Sequence, residues 1–293
     1  MTTRLFGRKY KLTVDGSIEV SDLDIGFAIS KSIKKQPNKC EIRIYNLSPD
    51  SRKKMEAQRD RMGKLANPVA CELRAGYDDG MSLIFSGDIH TIYTAKEGPD
   101  WVTHIASADG LAATRQARMS FSVKKGTGLV DVFKKLAKGS GLGIGNALDG
   151  FVNAKIQDMG STFPEGTVVD GPAYDELCRL ADSAGLEVSI QGGALQVKPK
   201  GEATGDSAVD LSADSGLIGS PTIEAAQDPG KKSPADKYVL AECLLIPGIF
   251  PGRKVNLTAE DKAFHGTYEC VSVDYAGENF GPEWGCKLKL RPI

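Results

Sequence analysis

One short turn pattern occurs twice in the sequence, and this repeat constrains the fold more than any other feature. Gly98-Pro99-Asp100-Trp101 returns as Gly281-Pro282-Glu283-Trp284, and the two copies contain the only two tryptophans of the 293-residue chain. Gly-Pro is typical of turns, and Trp often begins the strand beneath a turn. One copy alone would mean little, whereas two copies, each near the end of a β-rich stretch, indicate an internal duplication.

Residues upstream of each turn extend the match. Phe85-Ser86-Gly87 precedes the first turn and Phe264-His265-Gly266 precedes the second. Apolar residues follow each glycine at the second and fifth positions, which reverses the buried face of a strand as one extra residue in a β-bulge would. We therefore predict a structural signature of the repeat, formed by Phe85, Gly87, Gly98, Pro99, Trp101, Phe264, Gly266, Gly281, Pro282 and Trp284. We expect Trp101, Thr103 and Ile105 to share one face of their strand in the first copy. In the second copy, Trp284, Cys286, Leu288 and Leu290 should do the same.

The first of three regions, residues 1–115, is predicted to be β. Alternate residues from Leu23 to Ile29 are apolar, the period of a half-buried strand. A helix is predicted at 49–62, because Ser48 can cap it and Pro49 suits its first position. That helix is polar on nearly every face, so we expect it at the surface or against a partner.

The middle region, residues 116–200, is predicted to be a small α+β unit. Its first helix has an apolar face formed by Leu129, Val132, Phe133 and Leu136, and its second by Tyr174, Leu177, Cys178, Ala181 and Ala184. Gly139 or Gly141 would end the first helix, and Gly185 the second. Alternating residues on both sides of Gly192-Gly193 predict a β-hairpin.

The third region, residues 201–293, returns to short alternating β segments, with an exposed loop predicted at 224–237. The net charge of −1 favours neither a nucleic-acid nor a membrane partner. No stretch has the length of a membrane span, and the N-terminus lacks the apolar core of a signal peptide. We therefore expect the chain to fold in a cytoplasm, with its six cysteines as buried free thiols.

No pattern in the sequence indicates catalysis, a cofactor or a metal. The three histidines, His90, His104 and His265, do not form a zinc motif, and no cysteines have zinc-ligand spacing. A nucleophile-elbow motif is missing, and the glycine-rich run at 139–145 follows a helix instead of opening one. We predict no catalytic, cofactor-binding or metal-binding residues and a protein that is not an enzyme.

In its order of segments the chain resembles the central baseplate-hub proteins of tailed bacteriophages. The segments that carry the resemblance are CEIRIYNLSPD (40–50), LIFSGDIHTIY (83–93), GPDWVTHIASADG (98–110), AYDELCRLADSAGLEVSIQGGALQVKPKG (173–201), DLSADSGLIGSP (210–221), LLIPGIFPGRKVNL (244–257) and FHGTYECVSVDYAGENFGPEWGCKLKL (264–290). Each is a loose pattern, and their order carries the specificity.

The resemblance implies an α+β, mainly β fold, with two tail-tube-like β-barrel domains at 1–115 and 201–293 flanking a small α/β domain at 116–200. It implies a structural virion protein: a homotrimer in which three chains present six barrels to the sixfold tail tube and three identical faces to the threefold spike. The expected partners are the tail tube protein, the central spike, other baseplate proteins and a tape measure protein. The expected location is the tail baseplate of a virion assembled in the bacterial cytoplasm.

Two other classes of function stay open from the sequence. One is a peptidoglycan hydrolase or peptidase of a phage tail tip, which would need a pocket with paired carboxylates. The other is a carbohydrate-binding module of a tail fibre, which would need exposed aromatic residues, and only 7% of the residues are aromatic.

Overall fold

A computed structural model of the protein describes residues 5–57, 63–111, 117–143, 145, 162–163, 165–224 and 238–293. Apart from Glu224, the predicted loop at 224–237 lies outside these residues, as does the predicted end of the first helix at 58–62. The chain divides into two compact units. The first comprises Met1–Ser32, Asn38–Ala108 and Asp206–Ile293, and the second comprises Ile33–Pro37 and Asp109–Gly205.

The first unit is built from strands of the N-terminal and C-terminal thirds of the chain. The N-terminal strands are β1 (Lys9–Val14), β2 (Ile18–Val20), β3 (Ile25–Ser32), β4 (Lys39–Tyr45), β5 (Lys64–Tyr77), β6 (Gly80–Glu97) and β7 (Asp100–Ala108). The C-terminal strands are β12 (Val209–Leu211), β13 (Leu217–Ile223), β14 (Val239–Leu244), β15 (Lys254–Leu257), β16 (Gly266–Glu278) and β17 (Trp284–Pro292). Helix α1 (Pro49–Glu56) connects β4 to β5.

All thirteen strands belong to one sheet, in the order β13-β14-β17-β16-β3-β4-β7-β6-β5-β1-β2, with β15 pairing to β16 and β12 to β15. Two parts of this sheet have the same connectivity. The order β5-β6-β7-β4-β3 in the N-terminal part returns as β15-β16-β17-β14-β13 in the C-terminal part, and all these neighbours are antiparallel. Corresponding strands of the two predicted copies are therefore arranged in the same order in the sheet.

Side-chain alternation explains why these segments form half-buried strands. In β4, Cys40, Ile42 and Ile44 are buried, whereas the charged residues between them are exposed. The inward residues of both copies join one apolar core. Burying each large aliphatic side chain contributes about 1.5–3 kcal/mol, so the core is the main stabilising element of the sheet.

Helix α1 begins as predicted. Ser48 is the N-cap, with its hydroxyl oxygen accepting from the Ser51 backbone N–H at 3.2 Å, and Pro49 occupies the first turn. Met55 is the one residue of α1 that is buried, in agreement with the polar character of the segment. Packing of this helix therefore depends on few apolar contacts.

The second unit contains the predicted pair of amphipathic helices and the hairpin. Its elements are β8 (Arg118–Val123), α2 (Leu129–Ser140), β9 (Thr167–Pro172), α3 (Ala173–Ser183), β10 (Leu186–Gln191) and β11 (Ala194–Pro199). The predicted apolar faces of α2 and α3 lie in one core. Gly141, with φ +77°, ends α2, and Gly192 and Gly193 form the β10–β11 turn with positive φ.

The mainly β, α+β fold class is confirmed. The strand path does not close on itself within the described residues, so the two barrels stay a prediction, as do the boundaries at 115 and 200. In the described part of the chain, no helix is long and apolar enough to cross a membrane.

Candidate assembly surface

The two tryptophan turns occupy corresponding positions in the two copies. The residue after β4, Asn46, donates its backbone N–H to the carbonyl oxygen of Trp101 at 2.8 Å. The residue after β14, Leu245, donates in the same way to Trp284 at 3.3 Å. Each turn therefore delivers its tryptophan to the same point in the strand order.

Each copy also contains a β-bulge. The bulge lies in β6 of the first copy and in β16 of the second, opposite the same part of the strand that follows, β7 or β17. Ile89 pairs with Ser107 and Thr91 with Ala106, so His90 is the extra residue of β6. In the second copy, Val271 is the extra residue of β16, between the pairs Cys270–Leu290 and Ser272–Lys289. Both bulges lie opposite the fifth and sixth residues after the tryptophan, which makes Thr91 the structural counterpart of Ser272.

The Phe-x-Gly parts of the signature do not correspond in this way. Gly87 lies three residues before its bulge and Gly266 five residues before its bulge. Phe85 is fully buried within β6, whereas Phe264 ends a short 3-10 helix and is half-buried. The sequence match between these motifs is thus two residues out of structural register.

The turns themselves differ in length. In the first copy Glu97 pairs with Asp100, so Gly98, with φ +62°, and Pro99 form a tight two-residue connection. In the second copy Gly277 pairs with Trp284, and the longer connection contains Gly281 and Pro282. The extra length is tolerated because both turns lie between strand ends.

Two residues that the sequence did not single out stabilise the longer turn. Arg8 donates to the carbonyl oxygens of Glu278 at 2.7 Å and Pro282 at 3.3 Å, and its guanidinium lies 5.7 Å from the centre of the Trp284 ring. The Asn279 side chain accepts from the Ile25 backbone N–H at 2.8 Å and donates to the Leu23 carbonyl at 3.0 Å. The turn is therefore fastened to the beginning of β3.

The two tryptophans differ in exposure, even though Thr103 and Ile105, on the predicted face of Trp101, are both buried. Trp284 is 5% exposed and packs edge-on against Phe27, with ring centres 5.5 Å apart. Trp101 is 44% exposed, and its ring lies 4.7 Å from the guanidinium of Arg52 on α1. The connection from β14 to β15 has no helix among its described residues, so the covering of Trp101 is specific to the first copy.

The pairing of β3 with β16 joins the two copies. It runs antiparallel from Ser32–Ser272 to Gly26–Glu278. Ile29, opposite Tyr275, is 1% exposed. A Cβ atom on Gly277 would come within 2.2 Å of the Phe27 ring, so only glycine fits opposite Phe27. We call this pairing the internal junction.

The solvent face of the same sheet is polar across the internal junction. Register neighbours on β4, β3, β16, β17 and β14 are Lys39, Ser30, Asp274, Lys287 and Glu242. The Lys287 and Glu242 side chains are 3.6 Å apart and exposed. A groove of about 520 Å³ lies over β14 and β17 and is lined by these charges. Along this row the exposed face suits contact with water or with a polar partner, although the exposed Ile218 and Leu240 also line the groove.

Several ionisable side chains of the described residues make structural contacts or are buried. His104 Nε2 lies 2.7 Å from Glu97 Oε1, and its ring stacks on Tyr93 at 4.7 Å. All six cysteines are free and buried. Burial raises the pKa of Cys71 to about 12 and that of Cys178 to about 11, so neither is a ready nucleophile at neutral pH. The described residues include no group of three or more His, Cys, Asp or Glu that could hold a metal ion.

Comparison with known proteins places this architecture among tail proteins. The model of a protein family described as "Baseplate hub gp41" matches residues 9–226. No curated protein sequence matches the chain.

Several solved structures are similar to the chain over nearly its whole length. The tail protein from Neisseria meningitidis MC58 has 15% identity and a TM-score of 0.63, covering 98% of this chain and 97% of that one. The 43 kDa tail protein of prophage MuSo2 from Shewanella oneidensis has 10% identity and a TM-score of 0.65, covering 97% of both chains. The E. coli c3393 protein, a component of the type VI secretion system, has 9% identity and a TM-score of 0.60, covering 97% of this chain and 77% of that one. At these identities the similarity establishes a shared fold.

Proposed function

The chain belongs to the baseplate hub gp41 family, a family of structural phage tail proteins, and we propose that it is the central hub of a tail baseplate. In this role it joins the sixfold tail tube to the threefold spike as a pseudo-sixfold homotrimer. The observation that carries this proposal is the repeated strand order, β5-β6-β7-β4-β3 and β15-β16-β17-β14-β13.

Duplication within one chain resolves a mismatch of symmetry. Three chains with two related β modules each present six similar surfaces on one side, and the same three chains present three identical surfaces on the other. The shared Trp-carbonyl hydrogen bonds of Asn46 and Leu245, and the two corresponding bulges, support an origin of the modules in one ancestral unit.

The proposed partners are the tail tube protein on the sixfold side and the spike on the threefold side, together with other baseplate proteins and a tape measure protein. The proposed place of assembly is the bacterial cytoplasm, and the proposed final location is the virion. The polar face across the internal junction would line the passage of the ring, because a channel wall must stay hydrated.

The proposal includes no catalytic activity. The groove over β14 and β17 contains carboxylates, but Glu242 and Glu224 each lie beside a lysine, Lys287 and Lys289 respectively.

The decisive measurement is imaging of assembled tails with this chain labelled. We expect three copies in a ring of six similar densities between the tube and the spike, and a purified complex with three times the 31.3 kDa chain mass. Six copies in the ring, or label absent from the tail tip, would overturn the proposal. Incubation of the purified protein with peptidoglycan, with lysozyme as a positive control, should release no soluble fragments.

A further inference from the structure

We propose that neighbouring subunits join by strand pairing. Strand β13 of one subunit would pair with the open edge of β6, at residues 93–97, of the next subunit. This intersubunit pairing rests on the proposed homotrimer and names the surfaces that form it. The partner at each edge is thus a second copy of this chain.

The precedent is the internal junction within one subunit. There β3, the last strand of the first copy's order, pairs antiparallel with the half of β16 that follows its bulge. By the repeated strand order, β3 corresponds to β13, and β16 corresponds to β6. The same pairing between two subunits would therefore use β13 of one subunit and, in the other, the half of β6 that follows the β6 bulge.

The receiving edge on β6 is open in the described part of the chain. On one side, residues 88–97 pair with β7. On the other side, pairing with β5 reaches Thr91, and the last hydrogen bond runs from the Ile92 N–H to the Gly63 carbonyl at 2.8 Å. From Tyr93 to Glu97 this second side has no strand partner among the described residues, whereas the corresponding edge of β16 is occupied by β3.

The hydrogen bonds of β13 with β14 show which residue of β13 corresponds to which residue of β3. Leu217 pairs with Cys243 as Ile25 pairs with Ile44. The Gly216 carbonyl accepts from the Leu244 N–H at 2.8 Å, as the Asp24 carbonyl accepts from Tyr45 at 3.0 Å. At the other end of the strand, Glu224 N–H donates to the Tyr238 carbonyl, a position that corresponds to the pair Ser30–Lys39. Among the described residues β13 pairs with β14 alone.

This alignment makes Ile223 the counterpart of Ile29, and the two differ sharply in exposure. Ile29 is 1% exposed at the internal junction, whereas Ile223 is 60% exposed. A large aliphatic side chain at an open strand edge favours association, because its burial contributes about 1.5–3 kcal/mol. The observed contrast is the one expected if Ile223 becomes buried between subunits.

The expected register follows from the internal junction. Ile29 lies opposite Tyr275, and the counterpart of Tyr275 on β6 is Thr94, so Ile223 should lie opposite Thr94. Thr94 Oγ1 lies 3.0 Å from the Oγ1 of Thr103, which is fully buried, so this side of β6 faces the core. Ile223 would extend that core from the neighbouring subunit.

The middle of β13 limits the pairing to its C-terminal end. The register with β14 shifts between Ile218 and Thr222, Gly219 has φ +64°, and Pro221 has no N–H to donate. These features discourage indiscriminate pairing at the edge and leave Thr222–Glu224 to form it. Because the two edges are different surfaces, the contact is head-to-tail and must close into a ring, which three copies would complete.

The test combines cross-linking with substitution, on the full chain in solution and in assembled tails. Thr94→Cys with Ile223→Cys, treated with a short bismaleimide, should give covalently linked dimers and trimers. The native thiols should stay unreactive because all six are buried. The two single variants, Thr94→Cys and Ile223→Cys, are the controls and should give none, because the pairing places these two positions opposite each other and not opposite themselves.

Ile223→Asp should weaken trimer formation at least tenfold in a dilution series followed by native mass spectrometry. Ile223→Val, which keeps a branched aliphatic side chain at this position, should leave trimer formation nearly unchanged. If trimers or rings form but neither cross-linking nor Ile223→Asp has an effect, the pairing of these edges is wrong and the proposed function stands. If assembled tails contain no threefold ring of this chain, both fail.

Discussion

The backbone N–H of Asn46 donates to the carbonyl oxygen of Trp101 at 2.8 Å, and the Asn46 side chain accepts in return from the Trp101 N–H at 3.1 Å. Asn46 also has φ +54°, a left-handed conformation that asparagine tolerates better than alanine. We expect Asn46→Ala to lower the free energy of unfolding by about 2 kcal/mol, since it loses the side-chain bonds and strains the backbone. Denaturant unfolding measures this loss.

Asn46→Gly is the matched control for the backbone conformation. It loses the same side-chain hydrogen bonds but adopts positive φ without strain. We expect its loss of stability to be about 1 kcal/mol smaller than that of Asn46→Ala. Equal losses would show that the left-handed conformation is unimportant here.

The glycines of the sheet should differ in their tolerance of alanine. A Cβ on Gly277 would meet the Phe27 ring at 2.2 Å, and one on Gly87 would meet the Ala108 carbonyl oxygen at 2.7 Å. Gly266→Ala would make only ordinary contacts, the nearest at 3.5 Å. We expect losses of about 1–3 kcal/mol for Gly277→Ala and Gly87→Ala from overpacking, and under about 0.5 kcal/mol for Gly266→Ala.

A double-mutant cycle identifies the cause at Gly277. If the Phe27 ring is the obstacle, Gly277→Ala should cost less in a Phe27→Leu background than in the wild type. Thermal unfolding of the four proteins gives this coupling. Strictly additive losses would place the strain elsewhere than at the Phe27 ring.

The buried ion pair between Arg291 and Glu269 should contribute more than an exposed pair on the same strand. Arg291 Nε donates to Glu269 Oε2 at 2.9 Å, and the Glu269 side chain is fully buried. We expect Arg291→Met to lower the free energy of unfolding by about 3–5 kcal/mol, because it removes the arginine that pairs with a buried carboxylate. Lys287→Met, which breaks the exposed pair with Glu242, should cost about 0–1 kcal/mol in the same denaturant titration.

Tyr10 should make stability fall in alkali. Burial raises its pKa from 10.0 to about 12, and the hydroxyl donates to the Leu23 carbonyl. Because the folded pKa is raised, the unfolded state loses its proton first. The contribution of Tyr10 is complete below pH 10 and is lost as the pH rises through about 12.

Tyr10→Phe isolates this contribution. It should be about 1 kcal/mol less stable than wild type at neutral pH, through loss of the hydrogen bond. Between pH 10 and about 12 its stability should fall less steeply than that of wild type. Parallel pH profiles of the two proteins would contradict the assignment to Tyr10.

Much of the local structure follows from patterns that can be read along the chain. The alternation at Cys40, Ile42 and Ile44 predicts β4, and the apolar faces of α2 and α3 predict both helices. The Ser48-Pro49 cap and the Gly192-Gly193 turn are also correct. These features depend on backbone geometry and burial within a few residues, so the sequence contains their cause directly. Strand β1 has the same alternation, at Tyr10, Leu12 and Val14, but is absent from our predictions.

Pairing between strands that are distant in the chain could not be predicted from local sequence patterns. The repeated turns predict two related modules, but nothing local indicates that β3 pairs with β16 or that Arg8 fastens a turn 270 residues away. The contacts of the two tryptophans likewise depend on tertiary packing, because Arg52 of α1 lies over Trp101 whereas Phe27 packs against Trp284. Register and burial at such places depend on which distant strand edge fits against which surface. That choice is made by the packing of the whole sheet, because the same alternating strand can satisfy its backbone hydrogen bonds with many partners.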